Sequence, residues 1–213
     1  MNTTELIQEI SAKDVDVEKF VLLALGDDHI RDEIIRQMLT HPHIMVYYHC
    51  YYVIKKASHE RPELFYHYWH DIASLLHHKN SYHRDFALTI IANLTQVDHE
   101  NRFLAVFDDY FAHLNDAKFM TAQCCVQNSM NILRNKPQLR NRIIALLLDV
   151  DHQCAYPEKQ RALLKCDVLE VLDDVYDTVS DDEGVHAFVK AGIDSISPKT
   201  RRKAKELVGK YGL

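Results

Sequence analysis

The stretch FYHYWHDIASLLHHKNSYHRDFALTIIANLTQVDHENRFLAVFDDYFAHLNDAKFMTAQCCVQNSMNIL, residues 65–133, repeats an apolar pattern at an interval of 39 residues. Shifting the chain by 39 sets Tyr68 over Phe107, Ile72 over Phe111, Leu75 over Leu114, Ile91 over Met130 and Leu94 over Leu133. One further step reaches Leu146, Val150, Leu169 and Leu172. Two packed helices and their turns need a period of this size, so the spacing predicts an array of helix pairs.

Helical signals extend outward on both sides. Thr4 to Ile10 reads as a short helix with Thr4 as its cap, and Val15 to Leu25 as a second that Gly26 ends as a C-terminal glycine. Asp27 or Asp28 caps the next, with Ile30, Ile34, Ile35 and Met38 inward. Pro42 and Pro62 open helices over His43–Ser58 and Glu63–Leu76, because a first-turn proline forfeits no helical hydrogen bond. Ser81, Asp98 and Asp116 precede three more. Leu139–Val150 is apolar nearly all round, Pro157 starts a helix to about Val179, and Ser180 or Asp181 caps a short one to Ile193. Ser197 and Pro198 open a basic C-terminal helix over 197–211.

Asp27, Asp28, Ile30, Arg31, Ile34 and Leu39 resemble the Asp…Val-Arg…Ala…Leu signature of HEAT repeats, in the HEAT and armadillo class of α-helical repeat proteins. Arg84 with Ala87, Leu88 and Ile91 is similar to the same signature, with His83 where that family has valine. Between Asp116 and Leu133 the acidic residue and Ala122 remain, with Thr121 or Gln123 at the arginine position. The resemblance implies an all-α, right-handed α-α superhelix (a HEAT-like solenoid) of about five helix pairs plus a C-terminal capping helix, forming one domain over 1–213.

The totals agree with a helical protein. Five glycines and five prolines in 213 residues are too few for the turns of an all-β or α/β chain, and 47% hydrophobic with 26% charged residues suits a folded one. No apolar run is long enough to span a membrane, and Met1 to Glu5 lack the basic start of a secretory signal, so no membrane role and a cytoplasmic setting are expected. Five cysteines without C-x-x-C spacing fit reduced thiols. A formal charge of −6 disfavours nucleic acid as a generic partner.

Two regions stand apart from the repeating core. The first is rich in Tyr and His: Tyr47, Tyr48, Tyr51 and Tyr52 cover nearly half of one helix, and Trp69, His70 and His77 follow. Most of these rings are expected to pack between helices. Tyr48, Tyr52, Trp69, His70 and His77 are the candidates for contact with a partner. The histidines show no H-E-x-x-H or Cys/His pattern, so neither a metal nor another cofactor is expected; their density instead suggests pH-dependent association. In the second region, Asp167, Glu170, Asp174 and Asp177 draw an acidic stripe at helical spacing, a second candidate partner surface. A cation should answer it. The terminal helix carries Lys199, Arg201, Arg202, Lys203, Lys205 and Lys210, either folded onto that stripe or solvated, in which case Lys199, Arg201, Arg202 and Lys205 could contact an anion.

No P-loop, dinucleotide-binding glycine pattern, nucleophile elbow or paired-carboxylate setting occurs, which leaves no residue assigned to catalysis. The function expected is a non-enzymatic scaffold binding a protein or peptide through a concave helical face. The alternative is DNA binding or repair. Alkylpurine DNA glycosylases with HEAT-like folds resemble this chain in length and helix content, but they use aromatic and basic residues around an aspartate, and no residue here is carried over. The sequence sets neither partner identity nor oligomeric state.

Overall fold

The computed structural model describes residues 2–213, which form thirteen α-helices joined by short 3-10 turns, with no strand among the described residues. The chain packs as two compact units, Met1–Phe103 and Leu104–Leu213.

In the first unit, α1 (Thr3–Ile10) is capped by Asn2 rather than Thr4: the Asn2 carboxamide accepts from the Glu5 amide at 2.9 Å, and the Glu5 carboxylate accepts from the Asn2 amide at 3.0 Å. This reciprocal box satisfies two donors at once. Asp16 caps α2 (Val17–Gly26), and Asp27 caps α3 (Asp28–Thr40). Gly26 is the last helical residue and is followed by extended Asp27, so it forms no left-handed cap; Gly212 is the glycine with positive φ, 68°. A long α4 (Ile44–Glu60) follows. The next helix is shorter than expected: 3-10 turns at Pro62–Leu64, Tyr66–Tyr68 and Leu75–His77 flank α5 (Trp69–Ser74). Asn80, not Ser81, caps α6 (Ser81–Leu94), accepting from the Tyr82 amide at 3.1 Å. α4 packs between α2 and α6, while α3 lies against α2 and α4, and α5 against α6.

The second unit contains α7 (Arg102–Phe111, which begins in the first), α8 (Phe119–Asn135), α9 (Arg140–Leu148), α10 (Val150–Gln153), α11 (Glu158–Asp174), α12 (Glu183–Ala191) and α13 (Pro198–Tyr211). α11 lies between α8 and α13, and α12 packs on α13 and α9. Ile143, Ile144 and Leu147 of α9 are buried, whereas Leu146 and Leu148 are half-buried, so the all-round apolar helix keeps one wetter side.

The interval read from the sequence reappears as hydrogen bonds. In the first unit, Ile10 meets His49, Glu18 meets Lys56, Tyr51 meets Thr89, and the Asn93 amide donates to the Lys55 carbonyl, all 38 or 39 residues apart. In the second, Leu114 meets Cys154, Asp116 meets Tyr156, Ala162 meets Thr200 and Asp173 meets Tyr211, at 38 or 40. One long helix, a return helix and two turns consume that much chain, so equivalent positions of successive long helices face one another.

Arginines fasten the turns. Arg31, 4% exposed, donates to the Ala24 carbonyl at 2.8 Å, and Arg84 donates to the His78 carbonyl at 2.8 Å. Arg161 and Arg201 repeat this with Tyr156 at 2.9 Å and Ser195 at 2.7 Å. Each ties a helix's first turns to carbonyls that would otherwise end the preceding segment unpaired. Gln123, at the arginine position of α8, turns its amide to Asp167 instead, at 2.6 Å.

Candidate protein-interaction surfaces

On α4, helical spacing sends Tyr47 and Tyr51 into the core and leaves Tyr48 and Tyr52 on the outer arc. Tyr51 stacks on Phe86 of α6 with centroids 4.1 Å apart and donates to Thr89 Oγ1 at 3.1 Å. Tyr47 lies against Phe86 and His83. Outside them Tyr48 makes edge contacts with Tyr52 at 5.0 Å and with Tyr82 of α6 at 5.3 Å. Burial, with a smaller contribution from Tyr52, raises the Tyr48 hydroxyl to about 12, so it remains a neutral donor. Tyr52 and Tyr82 are each 41% exposed. The outcome is a rigid aromatic step whose inner edge is held by the core and whose outer edge meets water. Val17, Lys55 and Lys56 border Tyr52 in a shallow cavity. Tyr82 escaped the sequence reading because it lies on a different helix from the tyrosine run.

Trp69 does not belong to this surface. It is 2% exposed, with Tyr66 5.7 Å away, so its ring is part of the core. Its indole is the bulkiest fully buried side chain among the described residues. Tyr66 and Tyr68 are likewise spoken for, donating to Asp98 at 2.6 Å and to Asp32. His70 and His77 are exposed on α5 and the turn after it. Among the described residues no three His, Cys, Asp or Glu side chains are grouped to hold a metal ion.

The acidic stripe divides between two neighbours. Asp167, offered above as a contact residue, is 1% exposed and sits at the junction of α8, α11 and α13. Burial raises its pKa, against the opposing pull of hydrogen bonds from Gln123 at 2.6 Å and Gln127 at 3.3 Å and of Lys199 at 4.0 Å. Glu170 pairs with Lys199 at 3.0 Å and Asp174 with Arg134 of α8 at 2.5 Å. Asp177 is exposed in the 3-10 turn after α11.

The strongest clamp is Asp173, which the stripe reading passed over. Its carboxylate accepts from Lys203 and Lys210 at 2.7 Å and from the Tyr211 hydroxyl at 2.6 Å, and Tyr211 stacks on Tyr176 at 3.4 Å. Burial pushes the Asp173 carboxyl up, but these hydrogen bonds outweigh it and bring the pKa down to about 2. The terminal helix therefore folds onto α11. Arg201 is committed to the Ser195 carbonyl, and of the candidate anion contacts Arg202 and Lys205 are exposed and make no ion pair among the described residues.

Neither a family model nor a curated protein matches this sequence.

The local electrostatics carry a testable consequence. A carboxyl with a depressed pKa stabilises the fold above its unfolded value, 3.8, and loses that contribution as pH falls through about 2. Asp173→Asn is expected to cost about 1–2 kcal/mol at neutral pH after solvent screening, and to speed amide exchange in α13. The gap between variant and parent in urea unfolding should close near the acid end of that window. A gap of equal size throughout would mean that the clamp acts by shape rather than by charge.

Proposed function

We propose that this chain is a non-enzymatic helical-repeat scaffold that binds another protein, its helix pairs arranged as a right-handed, HEAT-like superhelix of about five pairs. The recurrence of side-chain bonds at 38–40 residues and the arginine staples support the repeat reading. The observation that carries the binding role is the Tyr48–Tyr52–Tyr82 step, a rigid aromatic surface that no core contact requires to be exposed. Tyrosines placed this way offer a partner large apolar area and a hydroxyl at small entropic cost, because the ring has few rotors to freeze. DNA binding through α13 has less support, since Lys199, Lys203 and Lys210 are already answered by acids of α11.

The immobilised protein should capture a specific protein from native host lysate, and Tyr52→Ala with Tyr82→Ala should weaken that capture about tenfold or more without lowering the melting temperature. Capture indifferent to the double substitution, or none beyond that on a blank resin, would overturn the reading. Salt-sensitive retention on DNA by the same variant and parent alike would favour the basic helix instead.

A further inference from the structure

We infer that His78 is a proton-operated latch on the turn into α6: protonation breaks its bond to the Asn80 amide, loosens the Tyr48–Tyr52–Tyr82 step and releases the partner as pH falls. The inference rests on the protein-binding reading above and adds a control to the same surface.

The turn is one that recurs along the chain. Before α4, His41 Nδ1 accepts from the His43 amide at 3.1 Å; before α6, His78 Nδ1 accepts from the Asn80 amide at 3.1 Å; before α8, an Asp116 carboxylate oxygen accepts from the Lys118 amide at 2.7 Å. A side-chain oxygen of Asp or Asn is the ordinary acceptor for an amide two positions on. An imidazole can replace it only while neutral, because the imidazolium carries a proton on each nitrogen and accepts nothing. Histidine therefore makes proton-sensitive a turn that Asp116 holds with a carboxylate.

What sets the α6 turn apart is what depends on Asn80. Its carboxamide oxygen caps the helix by accepting from the Tyr82 amide at 3.1 Å, and its Nδ2 donates to the Tyr47 hydroxyl at 3.3 Å. Tyr47 precedes Tyr48 on α4, and the Tyr82 ring lies 5.3 Å from that of Tyr48. One residue thus holds both sides of the aromatic step, and His78 holds that residue.

The second state has its acceptor in place. The buried His83 ring lies 4.2 Å from His78, and its Nδ1 has no hydrogen-bond partner. Burial, with His78, lowers the His83 pKa to about 4, so this ring is neutral and able to accept while His78 takes up the proton. An imidazolium that lets go of Asn80 can turn to it, exchanging one hydrogen bond for another. Among the described residues no carboxylate pairs with either ring to hold the proton in the present arrangement. The nearest fixed cation is Arg84, which donates to the His78 and Lys79 carbonyls at 2.8 and 3.3 Å and opposes a second positive charge there. The other titratable groups on the elements packed against this turn are His77 and Lys79 beside it, Asp85 of α6, which acts on Tyr48, the phenols Tyr47 and Tyr48 of α4, and His70 and Asp71, exposed on α5.

The test is two-dimensional NMR of the full chain between about pH 8 and 5, the span in which imidazoles ordinarily titrate. The Asn80 and Tyr82 amide resonances and the Tyr82 ring protons are expected to move with the same midpoint as the His78 ring protons. Protection of the two amides against exchange should fall about fivefold on the acid side, the loss of one hydrogen bond. His78→Asn keeps an acceptor oxygen in the turn and has no proton to take up, so both amides should stay constant across the span, with melting at neutral pH unchanged. Amides that do not titrate in the parent, or that titrate as before in His78→Asn, would overturn the inference. In the lysate capture described above, acidification to about pH 5 should release the bound protein about fivefold more completely from the parent than from His78→Asn, and equal release would also overturn it. If capture depends on Tyr52 and Tyr82 while the amides do not titrate, only the latch is wrong; if the amides titrate as expected while no protein is captured, the latch stands and the scaffold reading is the one that fails.

Discussion

Trp69→Ala is expected to lower the free energy of unfolding by about 3–5 kcal/mol, the range for emptying a buried aromatic site. The indole is 2% exposed at the start of α5, and the 3-10 turns on both sides of that short helix leave it little hydrogen bonding of its own to resist collapse. Urea unfolding followed by far-ultraviolet circular dichroism is the measurement, since the substitution removes the only tryptophan. The emission of the parent protein should already be blue-shifted, as for an indole out of water. A variant that unfolds like its parent yet loses its captured partner would return Trp69 to the binding surface, where the sequence alone had placed it.

Acidification should weaken the fold through His83. The ring is 5% exposed, lies 4.2 Å from His78 and 4.9 Å from Tyr47, and its Nδ1 has no hydrogen-bond partner. Burial, assisted by the neighbouring His78, lowers its pKa from 6.5 to about 4. Between those two values the unfolded chain binds a proton that the folded one refuses. Stability from this site is therefore complete above 6.5 and is lost as pH falls to about 4, by about 2–3 kcal/mol. His83→Val, which places an apolar residue against Tyr47 and Phe86, should flatten this part of the profile while changing stability at neutral pH by only about 1 kcal/mol. Thermal melts of both proteins across the interval give the answer: parallel curves would show that His83 is not the group responsible. His83 itself is held neutral by burial and does not respond near neutrality.

The interval of 39 residues was legible because a helix pair of fixed length imposes it on every buried position, and Ile10 with His49 or Ala162 with Thr200 obey it within a residue. Some helix starts were legible for a local reason, the Asp or Ser oxygen that takes an orphan amide, as at Asp27 and Ser197, whereas Asn2 and Asp182 cap the helices assigned to Thr4 and to Ser180 or Asp181. Where two candidates were adjacent, the choice depended on backbone geometry, and Asn80 took the role given to Ser81. The split of the helix after Pro62 was not legible. Its apolar spacing continues without interruption, and the 3-10 turns around Tyr68 accompany side-chain bonds to residues far away in sequence, such as Asp32 and Asp98.

The acidic stripe and the basic helix show the same limit. Period and charge identified both and suggested their meeting, yet Asp173 rather than Asp177 receives Lys203 and Lys210, since α13 packs on α11 itself and Asp177 lies in the turn beyond its end. By itself the sequence determined that this protein is helical and at what interval its helices recur, because those properties follow from backbone hydrogen bonding and the spacing of apolar side chains. Only the tertiary structure decided which aromatic rings are core and which are surface, which charges cancel, and that Tyr82 joins Tyr48 and Tyr52. The reason is that exposure depends on what lies across from a side chain, and here the residue across is usually some forty positions away.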